Sequence, residues 1–305
     1  MKHTHPILIA VGAAALGAST TPAQASIFGR DDRQYVSTGE GSPYSAVGLV
    51  TQGFLMRSFT TGFLVDDCHV LTSQGVLGYG QAPLGKRLTF KTGLGTPREE
   101  STKGTVVAAG GFRRNQTSDQ QFERGGRDWL LIRLDRCIGV RLGHVTLKTG
   151  PYSIDEFRGL KSAGFPEHRR RKAGLTIDPS CQIFARRGTV WLNDCAAVKG
   201  DAGDPIFRIS TAGSKAPMEV YAMQSAGFRG RGAVPLRSGY ENQAVPMALV
   251  APQIAPYLSL HGERQTGGLT AIRSHRPDAI SHVGTSLSLV FDRRLLDPGL
   301  GTADH

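Results

Sequence analysis

The sequence has four cysteines and nine histidines. Both residue types can bind a metal ion, and the cysteines can instead form disulfides. The cysteines lack the C-x2-C spacing of zinc sites, and the histidines form no H-x3-H pair on a predicted helix. We therefore expect disulfide bonds, with no metal ion and no cofactor. Four cysteines allow three disulfide pairings. They are Cys68, Cys137, Cys181 and Cys195.

One pairing follows from a predicted hairpin. Cys181 and Cys195 bracket a turn near residues 185–188, and antiparallel pairing about that turn brings the two ends within disulfide reach. Cys68 and Cys137 then form the other pair. A bridge between Cys181 and Cys195 would brace the strand that leads into the glycine-rich stretch 200–204.

The first 25 residues have the features of a secretory signal peptide. Lys2 gives the positive start, residues 7–18 form an apolar run, and Ala23-Gln24-Ala25 is a small-x-small cleavage site. The alternative is a retained membrane anchor, but the apolar run is too short to span a bilayer. The sequence thus predicts a secreted or periplasmic protein, in a compartment where disulfides form.

Short runs rich in β-branched and aromatic residues recur between Gly, Pro, Asn and Asp turns. This spacing predicts an all-β sandwich or barrel. Helical periodicity is found in residues 247–260, although Pro252 and Pro256 interrupt it. The strand-like runs are residues 46–50, 61–65, 70–72, 87–91, 129–134, 189–192 and 220–223.

Three stretches carry the strongest motifs. Residues 199–207 read K-G-D-A-G-D-P-I-F, residues 61–75 read T-G-F-L-V-D-D-C-H-V-L-T-S-Q-G, and residues 127–134 read R-D-W-L-L-I-R-L. They resemble, in the same order, the G-D-S-G-G-P loop, the G-[ST]-G-F-L…V-L-T-A-x-H segment and the D-[IW]-A-L strand of trypsin-like (chymotrypsin-fold) serine proteases. The resemblance puts Asp128 at the triad aspartate, Gly75 at the histidine and Ala202 at the serine.

Weaker matches extend the resemblance over roughly residues 27–260. A-G-F-P at 163–166 is similar to a strand end of bacterial members, and residues 242–260 to the last strand and closing helix. Ser225, Ala226 and Gly227 match the strand that pairs with the substrate backbone, and Gly200, Asp201 and Ala202 match the oxyanion loop. The resemblance implies a domain over 26–260: a double six-stranded β-barrel with a C-terminal helix and a site in the cleft between the barrels.

The two replaced positions indicate a pseudoprotease. Ala202 has no oxygen for attack on a carbonyl, and a triad acts as a unit, so Asp128 alone lacks both partners. Asp204 is a further departure, because its carboxylate would oppose negative charge at the loop. We therefore predict an inactive protein that binds a peptide, a protein or an anionic surface.

Several alternatives to this interpretation remain open. One is an active serine endopeptidase, as the family resemblance alone would imply, and another is a shifted alignment with a triad elsewhere. His69, six residues before Gly75, is a weak substitute for the missing base. For Asp128 we favour the interpretation that it remains only for structure, as an acceptor of backbone hydrogen bonds. Residues 27–30 loosely resemble the start of activated relatives, where a freed amine pairs with the aspartate that corresponds to Asp201.

The charge balance suggests an anionic partner. The chain has 36 Lys+Arg against 25 Asp+Glu, a formal net charge of +11. Its densest basic run holds Arg169, Arg170, Arg171 and Lys172, which we interpret as either a solvated loop or a patch that binds a polysaccharide or another anionic surface. No aromatic residues are interleaved, so specific nucleic-acid recognition is not indicated. We expect a monomer, with residues 261–305 as a C-terminal extension.

Overall fold

The structure is a computed structural model that describes residue 27 and residues 31–38, 42–53, 58–78, 82–112, 118–167, 174–210, 218–225 and 242–262. The strands are β1 (Gln34–Val36), β2 (Val47–Gln52), β3 (Ser58–Leu64), β4 (His69–Thr72), β5 (Arg87–Thr92), β6 (Glu100–Ala109), β7 (Leu130–Leu134), β8 (Thr146–Leu147), β9 (Leu160–Gly164), β10 (Leu175–Cys181), β11 (Ile183–Arg187), β12 (Val190–Asn193), β13 (Pro205–Ile209), β14 (Met218–Gln224) and β15 (Asn242–Pro246). The α-helices are α1 (Ser118–Arg124), α2 (Gly139–Leu142) and α3 (Met247–Gly262), and short 3-10 turns cover Gln74–Leu77, Gly125–Arg127 and Ile154–Phe157.

The first half of the chain forms a closed barrel, the N-terminal barrel. Its strands follow the order β2-β3-β4-β7-β6-β5, and all neighbours are antiparallel. Fully buried side chains such as Leu49, Phe63 and Phe90 fill its interior. Along β5 and β6 buried and more exposed positions alternate, which is the period of a strand with one face on a core.

The second half forms the C-terminal barrel. Its sheet runs β10-β9-β13-β14-β15-β12-β11, with β1 added beside β10 and β8 beside β14. Only Gln182 separates β10 from β11, so these end strands are two halves of one bent strand and the sheet returns on itself. Counted in this way, it has six strands in the same order as the N-terminal barrel. This confirms the predicted all-β double barrel.

Helix α3 closes the described chain and matches the helix predicted at 247–260. Val250 and Ile254, four residues apart, are both fully buried, so one face of the helix packs on the C-terminal barrel. Among the described residues, no helix is long and apolar enough to cross a membrane. The predicted signal peptide (1–25) and nearly all of the predicted extension (261–305) lie outside the described residues.

Both predicted disulfides are present. Cys68 is bonded to Cys137 in the N-terminal barrel, and Cys181 to Cys195 in the C-terminal barrel. The second bridge spans the β11–β12 hairpin, in which Arg187 pairs with Val190 across a turn at Gly188. It therefore ties the base of this hairpin, and its second cysteine, Cys195, lies five residues before Gly200 in the loop that contains Ala202.

Candidate functional site

Asp128 is the centre of the candidate site. Its side chain is fully buried, and its carboxylate accepts hydrogen bonds from Ser73 Oγ (2.9 and 3.0 Å), from the Gln74 backbone N–H (2.9 Å) and from Ser225 Oγ (2.7 Å). Ser73 and Gln74 follow β4 of the N-terminal barrel, whereas Ser225 follows β14 of the C-terminal barrel. The carboxylate thus joins the two barrels at their interface.

Ser73 has a second role in the turn that carries Gly75. Its Oγ accepts a hydrogen bond from the Gly75 N–H (3.0 Å), so Ser73 caps the 3-10 turn Gln74–Leu77. The turn brings Gly75 next to the residues that bond Asp128, but glycine presents no group to the carboxylate. The hydroxyl of Ser73 bonds both oxygens of Asp128 instead. Ser73 is not among the predicted site residues, although it stands where the resembling motif V-L-T-A-x-H has alanine.

Tight contacts fix the loop around Ala202. Gly200 and Gly203 have φ angles of 108° and 92°, which side-chain-bearing residues rarely adopt. A Cβ on Gly203 would lie 2.0 Å from the Thr61 carbonyl oxygen, so only glycine fits. The Thr61 N–H donates to the carbonyl oxygens of Gly200 (3.1 Å) and Ala202 (2.9 Å), and the Gly203 N–H to that of Gln224 (2.7 Å). Both barrels therefore hold the loop.

A buried ion pair anchors the same loop. Arg33 Nη1 lies 2.7 Å from Asp201 Oδ2, and these side chains are only 3% and 1% exposed. The same oxygen accepts the Val198 N–H at 2.8 Å, and Arg33 also bonds Asp31. Arg33 therefore provides the positive charge beside Asp201. By the family resemblance, a freed amine near Ile27 would have provided that charge. Sequence reasoning missed this pair because its partners are 168 residues apart.

Asp204 is buried between the loop and β9. Its carboxyl lies so close to the Cα of Gly164 that a Cβ there would be 2.0 Å from Oδ1. Burial raises the pKa of Asp204 well above 3.8, and the negative charge of Asp201 raises it further. Because this carboxyl keeps its proton to higher pH, it opposes an anion at the loop less than the sequence suggested.

The raised pKa gives a testable pH dependence. A carboxyl that binds its proton more tightly in the folded state stabilises the fold below its ordinary pKa of 3.8, and this stability is lost as pH rises towards the folded pKa. We expect Asp204→Asn to lose less stability than the parent protein between pH 4 and pH 8. Guanidinium unfolding at several pH values measures this, with the exposed Glu123→Gln as control. Parallel curves for the parent and Asp204→Asn would contradict it.

His69 lies away from this site. Its ring is 1% exposed, and Nδ1 lies 2.7 and 3.0 Å from the two carboxylate oxygens of Asp66. It begins β4, where it pairs with Arg133, whereas Ser73 follows the other end of that strand. The structure thus places His69 with the Cys68–Cys137 end of the N-terminal barrel and not beside Gly75.

Of the other predicted site residues, Ser225 lies within the described part of the chain and the rest lie outside it. Ser225 is described, and its N–H donates to the Gln243 carbonyl oxygen at 2.8 Å. Among the residues that the structure describes, no three His, Cys, Asp or Glu side chains are grouped so that they could hold a metal ion. Outside the described residues lie Ala226, Gly227, Arg169, Arg170, Arg171 and Lys172.

Comparison with known proteins gives similarity at the level of structure. No protein-family model matches the sequence, and no curated protein matches it. A solved structure of a Glu endopeptidase in complex with MPD aligns with a TM-score of 0.57 at 16% identity, over 77% of this chain and 100% of that chain. The protease Anisep from Arthrobacter nicotinovorans aligns with a TM-score of 0.52 at 12% identity, over 74% and 99%. Together with the paired six-stranded barrels, these alignments show that the chain has the trypsin-like serine protease fold.

Proposed function

We propose that this protein is a catalytically inactive member of the trypsin-like fold that binds a peptide in the cleft between its barrels. One observation carries the proposal. The buried Asp128 carboxylate is bonded by Ser73, Gln74 and Ser225, while the adjacent turn and loop present Gly75 and Ala202. The aspartate of a triad is thus present and held by hydrogen bonds, whereas the positions of the histidine and the serine carry no reactive side chain.

The chemistry of these residues argues against turnover. A methyl group cannot attack a carbonyl, and glycine has no side chain that could accept a proton. In a related triad enzyme, loss of the nucleophile or the base alone lowers turnover by about 2 × 10⁶. For an ordinary turnover of about 10 s⁻¹, on the order of one event per day would remain. Binding is the function that this arrangement can still perform.

The surrounding frame supports binding. The loop Gly200–Asp204 keeps two glycines with positive φ, a buried ion pair and hydrogen bonds to both barrels. A loop so constrained loses little further entropy when a ligand docks, which favours affinity. Export through the predicted signal peptide is part of the proposal, and two disulfides fit an oxidising compartment.

Covalent labelling tests the loss of catalysis. We expect a fluorophosphonate probe, which reacts with activated serines, to leave the purified full-length chain unlabelled because Ala202 replaces the nucleophile. Intact-mass spectrometry reads the outcome, with trypsin treated in parallel as positive control. Stoichiometric labelling would establish the alternative, an active serine endopeptidase, and would reject the proposal.

The basic run Arg169–Lys172 supports a separate hypothesis of binding to an anionic surface. The net charge of +11 favours such contacts, and they weaken as salt rises. Heparin affinity chromatography of the parent and of a variant with all four residues replaced by Ser would test it. Equal elution of the two proteins would exclude this run as the binding patch.

A further inference from the structure

The outer face of the N-terminal barrel carries a diagonal line of cations. Lys91 of β5 lies opposite Ser101 of β6, and Thr105 of β6 lies opposite Arg133 of β7. Lys103 is two residues from both Ser101 and Thr105, so its side chain shares their face of the sheet. Lys91, Lys103 and Arg133 therefore stand on three successive strands, each displaced by two residues from the one before. Diagonal neighbours of this kind lie about 7–8 Å apart.

These three side chains point away from the barrel core. Lys103 and Arg133 are exposed and Lys91 is half-buried, whereas their neighbours along the strands, such as Phe90 and Ile132, are buried. Among the described residues, none of the three cations forms an ion pair with a carboxylate. The line therefore presents three positive charges that are available to a ligand.

An exposed ion pair lies beside this line. Arg87 Nη1 donates to Thr105 Oγ1 and to Asp135 Oδ1, both at 2.8 Å, and Arg87 and Asp135 are each about half-exposed. The hydrogen bond from Arg87 lowers the pKa of Asp135, and the charge of Lys103 adds to this effect. Asp135 is therefore ionised at neutral pH. With Arg87 included, the face has four cations and one carboxylate.

The charges at the edge of this face balance one another. Glu100 begins β6 and contacts both Arg136 and Arg141. With Glu99 counted beside it, two acids meet two bases. The excess of positive charge is therefore located on the face itself and not spread evenly around the barrel.

The groups between the cations indicate the class of partner. The hydroxyls of Thr89, Ser101 and Thr105 lie on the same face and can form hydrogen bonds with sugar hydroxyls. No exposed aromatic side chain lies on β5, β6 or β7, all of which the structure describes, so nucleic-acid bases have no stacking platform here. These three strands also expose no large apolar side chain for insertion into a membrane. Spaced cations with hydroxyls between them fit a chain of acidic sugars.

The face is rigid and separate from the site around Asp128. All three strands belong to the closed barrel, and the Cys68–Cys137 disulfide ties the segment that follows β7. Arg133 pairs with His69, at the opposite end of β4 from Ser73. A fixed backbone reduces the entropy lost when a ligand binds.

We propose that the outer face of β5, β6 and β7 binds a linear acidic polysaccharide whose sulfate or carboxylate groups follow the line of Lys91, Lys103 and Arg133. Arg87 joins the contact when its guanidinium exchanges Asp135 for an anionic group of the ligand, because an exposed ion pair is weak. This contact is independent of the peptide-binding function and of the basic run at 169–172. A protein held on an anionic glycan in this way keeps its cleft free.

The test measures the affinity of the full-length protein for a fluorescein-labelled heparin oligosaccharide by anisotropy at two salt concentrations. The triple variant Lys91→Gln, Lys103→Gln, Arg133→Gln should bind about tenfold more weakly and with a smaller salt dependence, because three ionic contacts are lost. The control replaces three exposed arginines outside this face by Gln, so both variants have the same net charge. These are Arg124, Arg158 and Arg186. Unchanged affinity of the triple variant, an equal loss in the control, or no binding by the parent would overturn the proposal.

Two further measurements check the fold and the class of ligand. Lys103→Glu alone reverses the charge in the middle of the line, so it should also weaken heparin binding while the tryptophan fluorescence stays that of the parent. Phosphatidylserine vesicles and duplex DNA, at the same salt concentration, should bind the parent more weakly than heparin does. If either binds more tightly, and loses affinity in the triple variant, the face serves a membrane or a nucleic acid and the polysaccharide assignment is rejected.

Discussion

Replacing Arg33 with methionine is expected to lower the free energy of unfolding by about 3–5 kcal/mol, because it leaves the buried Asp201 carboxylate without its cation. Asp201 is 0% exposed, and the Arg33 guanidinium is 2.7 Å away. Burial already raises the pKa of Asp201 to about 6 against the opposing effect of Arg33. Without Arg33, ionised Asp201 and the nearby Asp204 would face each other with no compensating charge.

The pH dependence of this loss distinguishes electrostatics from packing. A carboxyl whose pKa is raised by folding stabilises the folded state at pH values below its ordinary pKa of 3.8. This stability is lost as the pH rises towards the folded pKa, which is about 6 for Asp201. Removing Arg33 moves that pKa further up. The deficit of Arg33→Met should therefore be smaller at pH 4 than at pH 8, where a deficit from lost packing alone would be constant.

Two comparisons complete the experiment. Arg33→Met with Asp201→Asn removes both charges, and we expect it to recover part of the stability lost in Arg33→Met. Arg87, half-exposed and paired with Asp135 at the surface, is a matched arginine whose replacement by methionine should change little. Guanidinium unfolding followed by the buried Trp129 and Trp191 reports on both barrels. Equal effects of Arg33→Met and Arg87→Met would contradict the importance of the buried pair.

The sequence predicted strands where large apolar residues cluster and missed those where they do not. Strand β6 escaped prediction because its buried positions hold small or polar residues such as Thr102 and Gly104. A Cβ on Gly104 would lie 2.6 Å from Ile132 Cγ2, so close approach of β7 excludes a larger residue. Strand β10 was missed because it carries Asp178 and Pro179, two residue types that are rare in strands.

For the candidate site, sequence motifs gave the order of Gly75, Asp128 and Ala202 but not the contacts among them. The hydrogen bond from Ser73 to Asp128 and the pairing of Arg33 with Asp201 join residues 55 and 168 positions apart. Such contacts depend on how segments far apart in the sequence pack within each barrel, which local patterns do not encode. The disulfide between Cys181 and Cys195 was predictable because it spans a single hairpin.

Rebuilding the triad is the second change with a large expected effect. Gly75→His with Ala202→Ser restores a base and a nucleophile, yet we expect this double variant to react only slowly with a fluorophosphonate. The new imidazole needs Asp128 as acceptor for its N–H, and the Ser73 hydroxyl already donates to both carboxylate oxygens at 2.9 and 3.0 Å. In a known triad, loss of the orienting aspartate interaction lowers turnover by about 10⁴.

Adding Ser73→Ala should release that acceptor. We expect the triple variant to label about 10²–10⁴ times faster than the double variant, since the upper limit is the full orienting effect. Ser73→Ala also removes the cap on the turn that carries residue 75, which should lower the free energy of unfolding by about 1 kcal/mol. Tryptophan fluorescence checks that each variant is folded before its labelling rate is compared.

Asp204 provides the competing explanation for a slow double variant. If its carboxylate compromises the loop, Asp204→Gly should raise the labelling rate more than Ser73→Ala does. The structure favours the opposite ranking, because burial raises the pKa of Asp204 and so weakens its negative charge, whereas Ser73 contacts Asp128 directly. We expect Asp204→Gly to add a smaller gain on top of Ser73→Ala. A double variant that gains from Asp204→Gly and not from Ser73→Ala would show that the oxyanion loop, and not the orientation of the base, limits reactivity.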